Sequence, residues 1–391
     1  MNRIAPKRVG IGAASLLTVT LLLSGCASGG SGDTGGSDVP GATAGEVSPD
    51  AVAAVERGFA AEHRALPADG PTAVEGVDMW LISCGQAFLG CSSTTNATQE
   101  ALETLGWNVT LVDGKGDPSL FNDGIRQALA ARPDGIMLVG MDCPVVKTSL
   151  EQAKEQGVPV VAPYSFDCDD PLAGGSESLF SAQVNYGTES TAEFFEQWGA
   201  LQADYVAVQT GGDAQVVELN DPGFLFAQYR NQGFDKRLAE VCASCEVVGQ
   251  TDFTASDMSD GRAAQKASTL FAQHADANVF VPAYDPLIAA IAPTLAPAAE
   301  AGMLVIGSEG YPENIALIEQ GIQTVAVAMP AHWIGWAAAD TMNRVLSGET
   351  SMPDAGIGFE IVDKDHNMPA DGVWVPNADY VANYKRIWGV G

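Results

Sequence analysis

Two α/β lobes, each built on a parallel sheet, are what this sequence predicts, on three observations. From Val77 onward, short apolar runs rich in β-branched residues alternate with helical stretches. The alternation breaks once, around residues 180–187, and then restarts. A hydrophobic content of 46% is ample for two cores, and the length beyond residue 50 suits two domains of ordinary size.

The first residues read differently. Arg3, Lys7 and Arg8 precede an almost wholly apolar stretch, residues 9–23, with no acid among them, which is the pattern of a secretion signal. The stretch is too short for a comfortable membrane span. An N-terminal anchor helix, or a signal cut at small residues by an ordinary peptidase, would also carry it. Leu23-Ser24-Gly25-Cys26, however, resembles the bacterial lipobox, in which the cysteine becomes the lipidated first residue. Residues 1–25 are therefore expected to be a lipoprotein signal peptide. A diacylated Cys26 would hold the protein at the outer face of the cell membrane, each buried methylene contributing roughly 0.8 kcal/mol. Residues 27–49 are nearly all Gly, Ser, Thr, Asp and Ala, too poor in apolar surface to offset ordering entropy. Residues 26–49 thus read as lipid anchor and tether, and 50–76 as an N-terminal helical extension.

The βα units follow in order. "VDMWLIS", "NVTLVD", "GIMLVG" and "PVVAPY" are the strand candidates of the first lobe, separated by helical patterns such as residues 118–131 and 144–156. After the crossing in "FSAQVNYG" come "YVAVQTG", "CEVVGQTDF", "NVFVPA", "LVIGSE" and "TVAVAMP". Such βαβ alternation implies parallel sheets covered on both faces. In open parallel sheets, ligands bind beyond the carboxyl ends of the strands, and two facing lobes make a cleft that closes on a small molecule. The candidates are therefore the residues just after each strand: Gln86, Phe88, Met141, Asp142, Tyr164, Ser165, Asp213, Phe253, Tyr284, Asp285, Glu309 and Met329.

Six cysteines remain once Cys26 is assigned to lipid, an even number that favours disulfides in an exported chain. They fall as near neighbours: Cys84 with Cys91, Cys143 with Cys168, Cys242 with Cys245. A zinc reading of Cys242-Ala-Ser-Cys245 lacks a second ligand pair, and redox use of a lone CxxC is the other alternative. The formal charge of −30 becomes −33 without Arg3, Lys7 and Arg8, a surface that repels nucleic acid. His63, His274, His332 and His366 are dispersed, so no metal is expected. Trp333, Trp336 and Met342 recur at helical spacing and read as core. A GxSxG elbow, a Walker loop, an HExxH and a GxGxxG after the first strand are all missing, so neither enzyme activity nor a cofactor is expected. An acid–base pair of Asp285 and Glu309 remains the chemical alternative.

"NVTLVDGKGDPSLFNDGIRQALAARPDGIMLVGMD" followed by "GVPVVAP" resembles the first lobe of the ribose- and galactose-type periplasmic binding proteins, the solute-binding components of ABC importers. "YRNQGF", "NVFVPAYDPLIAAIAPTL", "LVIGSEGYPENIALIEQG" and "VAVAMPAHWIGWAAADTMNRVLSG" are similar to that family's later blocks in the same order. The resemblance spans residues 77–360. A transcription factor of the same fold would begin with a basic helix-turn-helix head, where this chain has a lipobox. It implies the type 1 periplasmic binding fold: two Rossmann-like lobes joined by a hinge, residues 77–183 with 331–352, and 184–330 with 353–391.

By that resemblance Arg230 stands where the family places a sugar-binding arginine, Phe253 where it places an aromatic face, and Asp285 in its Asn-Asp pair. Fixed donors and acceptors with aromatic faces suit a polyol. Elsewhere the chain departs: Tyr164-Ser165 replaces Asp-Arg, Tyr284 replaces Asn, Glu309 replaces Asp and Met329 replaces the hinge Gln. The cleft is more aromatic and less polar than a simple pentose or hexose requires. The bland readings are that Phe253 and Tyr284 pack the core, that Arg230 pairs with Asp213 or Asp221, and that Glu309 caps a helix. The implied fold also puts the Cys143 and Cys168 loops on one edge of the cleft, where a bridge would stiffen the pocket wall, as Cys84–Cys91 would the first loop. The expectation is a monomeric, lipid-anchored protein that presents a sugar-like ligand to an ABC permease. A ligand sensor for a membrane receptor, a binder of aromatic or heterocyclic molecules, and a lipid-anchored hydrolase are the alternatives.

Overall fold

The computed structural model describes residues 47–391. The expected signal peptide, Cys26 and the expected tether before residue 47 lie outside the described residues. Helix α1 (Pro49–Phe59) opens the body, with the Ser48 hydroxyl accepting from the Asp50 N–H and Pro49 in its first turn.

Strands β1 (Asp78–Ser83), β2 (Asn108–Asp113), β3 (Gly135–Val139) and β4 (Val160–Val161) form the first sheet, all parallel, in the order β2-β1-β3-β4. Helices α2 (Leu89–Thr104), α3 (Pro118–Ala131) and α4 (Cys143–Gln156) connect them. Every residue of β3 is buried, as its unbroken apolar run requires of a strand covered on both faces. α3 runs over the expected residues because both ends are written locally. The Asp117 carboxylate accepts from the Ser119 N–H, Pro118 follows, and Arg132 ends the helix in the left-handed region.

The second lobe begins with α5 (Thr191–Gln209) and continues through β5 (Gln215–Asn220), α6 (Leu225–Val241), β6 (Glu246–Asp252), α7 (Ala255–Ser259) and α8 (Arg262–Gln273). It is completed by β7 (Val279–Pro282), α9 (Asp285–Glu300), β8 (Leu304–Gly307), α10 (Pro312–Gln320) and β9 (Val325–Ala328). After β9, α11 (Ala331–Leu346) packs on α2 of the first lobe, and the chain returns as β10 (Glu360–Asp363). The sheet order is β10-β9-β8-β7-β5-β6, with β10 alone antiparallel. α12 (Tyr380–Trp388) then folds over α11, stacking Trp388 on Trp336 and Tyr380 on Trp333. Trp333, Trp336 and Met342 are core residues.

Three expectations are corrected. "YVAVQTG" is not a strand: all but its last two residues are the final turns of α5, and the strand is the next run, "QVVELN". α5 is covered by α1, α6 and the sheet, so its apolar residues lack the one-sided period of a surface helix and mimic a buried strand. α5 and α6 touch backbone to backbone: a Cβ on Gly199 would stand 1.8 Å from the Arg230 carbonyl oxygen, and one on Gly233 2.0 Å from that of Glu196. Second, the extension is helical only in α1, which packs on α5 and β10. Residues 60–76 are a strap across the lobe junction. Arg64 donates to the Tyr186 and Ile357 carbonyls and pairs with Asp354, and further on the Pro67 and Asp69 carbonyls accept from Asn383 and Arg344. Third, residues 353–391, expected as one piece with the second lobe, divide: β10 lies in the second sheet, whereas α12 packs on α11.

The cysteines pair as neighbours: Cys84–Cys91, Cys143–Cys168 and Cys242–Cys245, with Cα separations of 5.5, 5.1 and 5.3 Å. Among the described residues no helix is long and apolar enough to cross a membrane.

Candidate functional site

The carboxyl ends of both sheets face one another, so the loops after the strands meet between the lobes. Hydrogen bonds and ring contacts join them. The Leu225 N–H donates to Asp142 Oδ2 at 3.4 Å, the Tyr229 hydroxyl donates to Asp170 Oδ1 at 2.7 Å, and the Tyr164 ring stands edge-on to Phe195 and Phe226 at 5.3 and 5.2 Å. Tyr164 holds a φ of 59°, a left-handed conformation rare in a bulky residue and costly unless its surroundings enforce it. Its neighbours do enforce the loop. The Ser165 hydroxyl accepts from the Met141 N–H and donates to the Pro163 carbonyl, Asp142 Oδ1 accepts from the Phe166 N–H, and Cys168 is bridged to Cys143. Asp167 adds acceptors for the N–H groups of Leu179 and Phe180.

On the second lobe, Tyr284 lies edge-on to Phe253 at 5.7 Å and donates its hydroxyl to Asp221 Oδ2 at 2.8 Å. Arg230 is fully buried. It donates to Gln202 Oε1 at 3.2 Å and to Asn231, while its Nε–H has no partner. Neither Asp213 nor Asp221 is its partner. The charges near it are Glu218, Glu309, Asp235 and Asp285, and burial lowers its pKa against their pull. Glu309, 4% exposed, accepts on Oε2 from the Asp285 N–H at 2.8 Å and from the Ser308 hydroxyl. Burial and then the Asp285 charge push its carboxyl up to about 8. Burial likewise raises Asp142 to about 6 and Glu218 to about 7.

The Asp285 carboxylate is engaged by donors of its own lobe. Its Oδ1 accepts from the Ser308 N–H at 2.8 Å and from Gln323 Nε2 at 3.3 Å, and its Oδ2 from the N–H groups of Glu309 and Gly310 at 3.1 and 2.7 Å. Four donors consume the carboxylate, which ties the loop after β8 to the start of α9. Phe253 is wholly buried in the second-lobe core, Met329 lies buried after β9, and the Ser165 hydroxyl is spent on backbone groups. Gln86 donates to the Ser83 hydroxyl, and Phe88, 49% exposed, lies over Gly85 and Gly116. Asp213 precedes β5 at the opposite end of the sheet, a displacement that follows directly from the misplaced strand. The same error hid "DPGFLFAQYR", which supplies Asp221 from the true loop after β5 and Phe226 and Tyr229 from the first turns of α6. Cys143, Asp167 and Cys168 are close enough to hold a metal ion, but two are disulfide-bonded and the third is hydrogen-bonded to backbone.

What converges here is a set of aromatic faces with buried carboxylates and one arginine, suited to holding a small polar molecule between two hinged bodies. A family model described as a periplasmic binding protein domain matches residues 91–350. The ribose import binding protein RbsB of Escherichia coli (strain K12) is 22% identical over 274 residues, covering 70% of this chain and 86% of the relative. RbsB of Bacillus subtilis (strain 168) is 24% identical over 245 residues, 62% and 73% of the two chains. Among solved structures, the glucose-galactose binding protein GanP of Geobacillus stearothermophilus superposes with a TM-score of 0.62 at 20% identity, over 75% of this chain and 99% of that one. A solute-binding protein of Agrobacterium vitis bound to α-D-tagatopyranose gives 0.65 at 17%, over 78% and 100%.

Proposed function

The chain belongs to the periplasmic binding protein family, and on that premise we propose that it captures a sugar or sugar-like polyol between its lobes and hands it to an ABC importer. The observation that carries this reading is the apposition, at the carboxyl ends of both sheets, of Tyr164 and Asp142 from one lobe with Arg230, Phe226, Tyr284 and Glu309 from the other. Hydroxyls need fixed donors and acceptors, and sugar rings need flat apolar faces; these residues offer both. The Tyr229–Asp170 and Leu225–Asp142 hydrogen bonds are contacts that exist only when the lobes approach, so a ligand bridging the lobes biases the population toward that arrangement. RbsB and the tagatopyranose complex are named for sugars, which favours the same class here. The protein acts in this reading as a monomer held to the outer face of the membrane by diacylated Cys26, and its permease is the receiver of the closed form. The density of aromatic rings supports a second ligand class, a flat heterocycle, in the same cleft.

Mass spectrometry of small molecules released when the purified protein is denatured identifies the solute, and a thermal-shift screen of sugars and polyols follows it. Binding to the folded state alone raises stability with the logarithm of saturation. A polyol that is released and that raises the melting temperature is the expected result. Steady chemical conversion of the bound compound, or a screen and an extract both without a ligand, would remove the reading.

A further inference from the structure

The cleft holds more carboxylate than its cations balance. Asp142 follows β3, Asp221 lies just after β5 and Glu309 just after β8, all at the carboxyl ends of strands. Only two arginines are buried among the described residues. Arg344 pairs with Asp340 within α11, and Arg230 is shared among four carboxylates, Glu218, Glu309, Asp235 and Asp285.

Glu309 has the features of a ligand group. Both hydrogen bonds it accepts fall on Oε2, which leaves Oε1 without a donor among the described residues. Burial first and then the Glu309 charge raise the pKa values of Tyr164 and Tyr311, and Tyr284, raised by burial and by Asp221, also feels the Glu309 charge. The other groups facing it are Ser308 on its own loop, Asp285 at the start of α9 and Arg230 on α6. A buried carboxylate with tyrosine hydroxyls near it attracts a cation by charge, and phenol oxygens are further acceptors for the N–H groups of an ammonium. Arg230 offers the complementary donor, a buried Nε–H with no partner.

We propose that the solute is an amino-bearing polyol, its ammonium group set against Glu309 among the three tyrosines and a hydroxyl set on the Arg230 Nε–H. The inference rests on the solute-binding reading above. A neutral polyol gives Glu309 no counter-charge. An ammonium group does, and since the carboxyl is raised to about 8 before binding, it loses its proton as the cation arrives. One proton passes from Glu309 to the buffer for each cation bound near neutral pH.

The test uses the mature protein and paired probes, D-glucosamine against D-glucose and D-galactosamine against D-galactose, by calorimetry in two buffers of different ionisation enthalpy. At least one amine is expected to bind about tenfold or more tighter than its neutral partner, with proton release, and Glu309→Gln should shrink that preference to about threefold or less. Should that variant fail to fold, the parent carries the test: amine affinity must rise between pH 6 and pH 7, where the probe stays largely an ammonium ion and the ionised fraction of Glu309 grows. Neutral partners that bind as tightly as the amines, or amine binding without proton release, overturn the inference. So does a released solute that lacks a basic nitrogen, although a neutral polyol there leaves the solute-binding reading standing. An extract with no small solute, together with four probes that do not bind, removes that reading itself.

Discussion

Asp285→Ala should unfold the second lobe's cleft wall rather than simply weaken binding. The carboxylate is the shared acceptor for the Ser308, Glu309 and Gly310 N–H groups and for Gln323. Alanine strands three buried amides, each worth about 1–3 kcal/mol when left unpaired, and water reaching the loop from the cleft recovers part of that. Loss of one member of a buried charged network typically costs about 3–5 kcal/mol, which is the expected loss here. Asparagine keeps the shape and one acceptor oxygen, so Asp285→Asn should lose about half as much. Nor is there slack for a longer side chain, since a Cβ on Gly307 would already stand 2.5 Å from Asp285 Oδ1. Urea unfolding followed by tryptophan fluorescence and far-ultraviolet circular dichroism measures the three proteins side by side. An alanine variant within about 1 kcal/mol of the parent that nevertheless fails to bind solute would refute the account and return Asp285 to the ligand.

Replacing Cys143 and Cys168 together with serine opens a loop of 25 residues and should cost roughly 3.5 kcal/mol in the chain-entropy model, against under about 2 for the Cys242–Cys245 pair; reversed magnitudes in urea titrations would contradict it. Gly199→Ala should destabilise by about 3 kcal/mol or more, because its Cβ meets the Arg230 carbonyl of α6 and only separation of the helices relieves the clash; a variant as stable as the parent would mean that α5 and α6 do not pack this closely. Glu309, Glu218 and Asp142 have folded pKa values raised to about 8, 7 and 6, above the 4.5, 4.5 and 3.8 of the free groups. Their stabilising contribution is complete below the unfolded values and is lost as pH rises through the folded ones, so the urea midpoint should fall from pH 5 to pH 8; a rising midpoint would reverse the sign. Cys26→Ala should shift the protein from the membrane to the soluble fraction with unchanged circular dichroism, and a membrane-bound alanine variant would defeat the anchor assignment.

Much of the architecture was legible because it is written locally. "GIMLVG" is apolar throughout and becomes a strand buried on both faces; Asp117-Pro118 starts α3, and neighbouring cysteines bridge. The order of the βα blocks in turn carried the family and the position of the cleft at the strand ends. Tertiary structure decided the rest. "YVAV" forms helix because α1, α6 and a sheet surround it, and such all-round burial erases the period that separates helix from strand in a short apolar run. Residues 60–76 carry no strap signal, since the carbonyls that accept from Asn343, Arg344 and Asn383 belong to every peptide alike. Asp285 and Glu309 looked equivalent as carboxylates after strands. Only the fold shows that backbone amides more than twenty residues away saturate one of them and leave an oxygen of the other free, because a hydrogen-bond acceptor's role is set by which donors the chain returns to it.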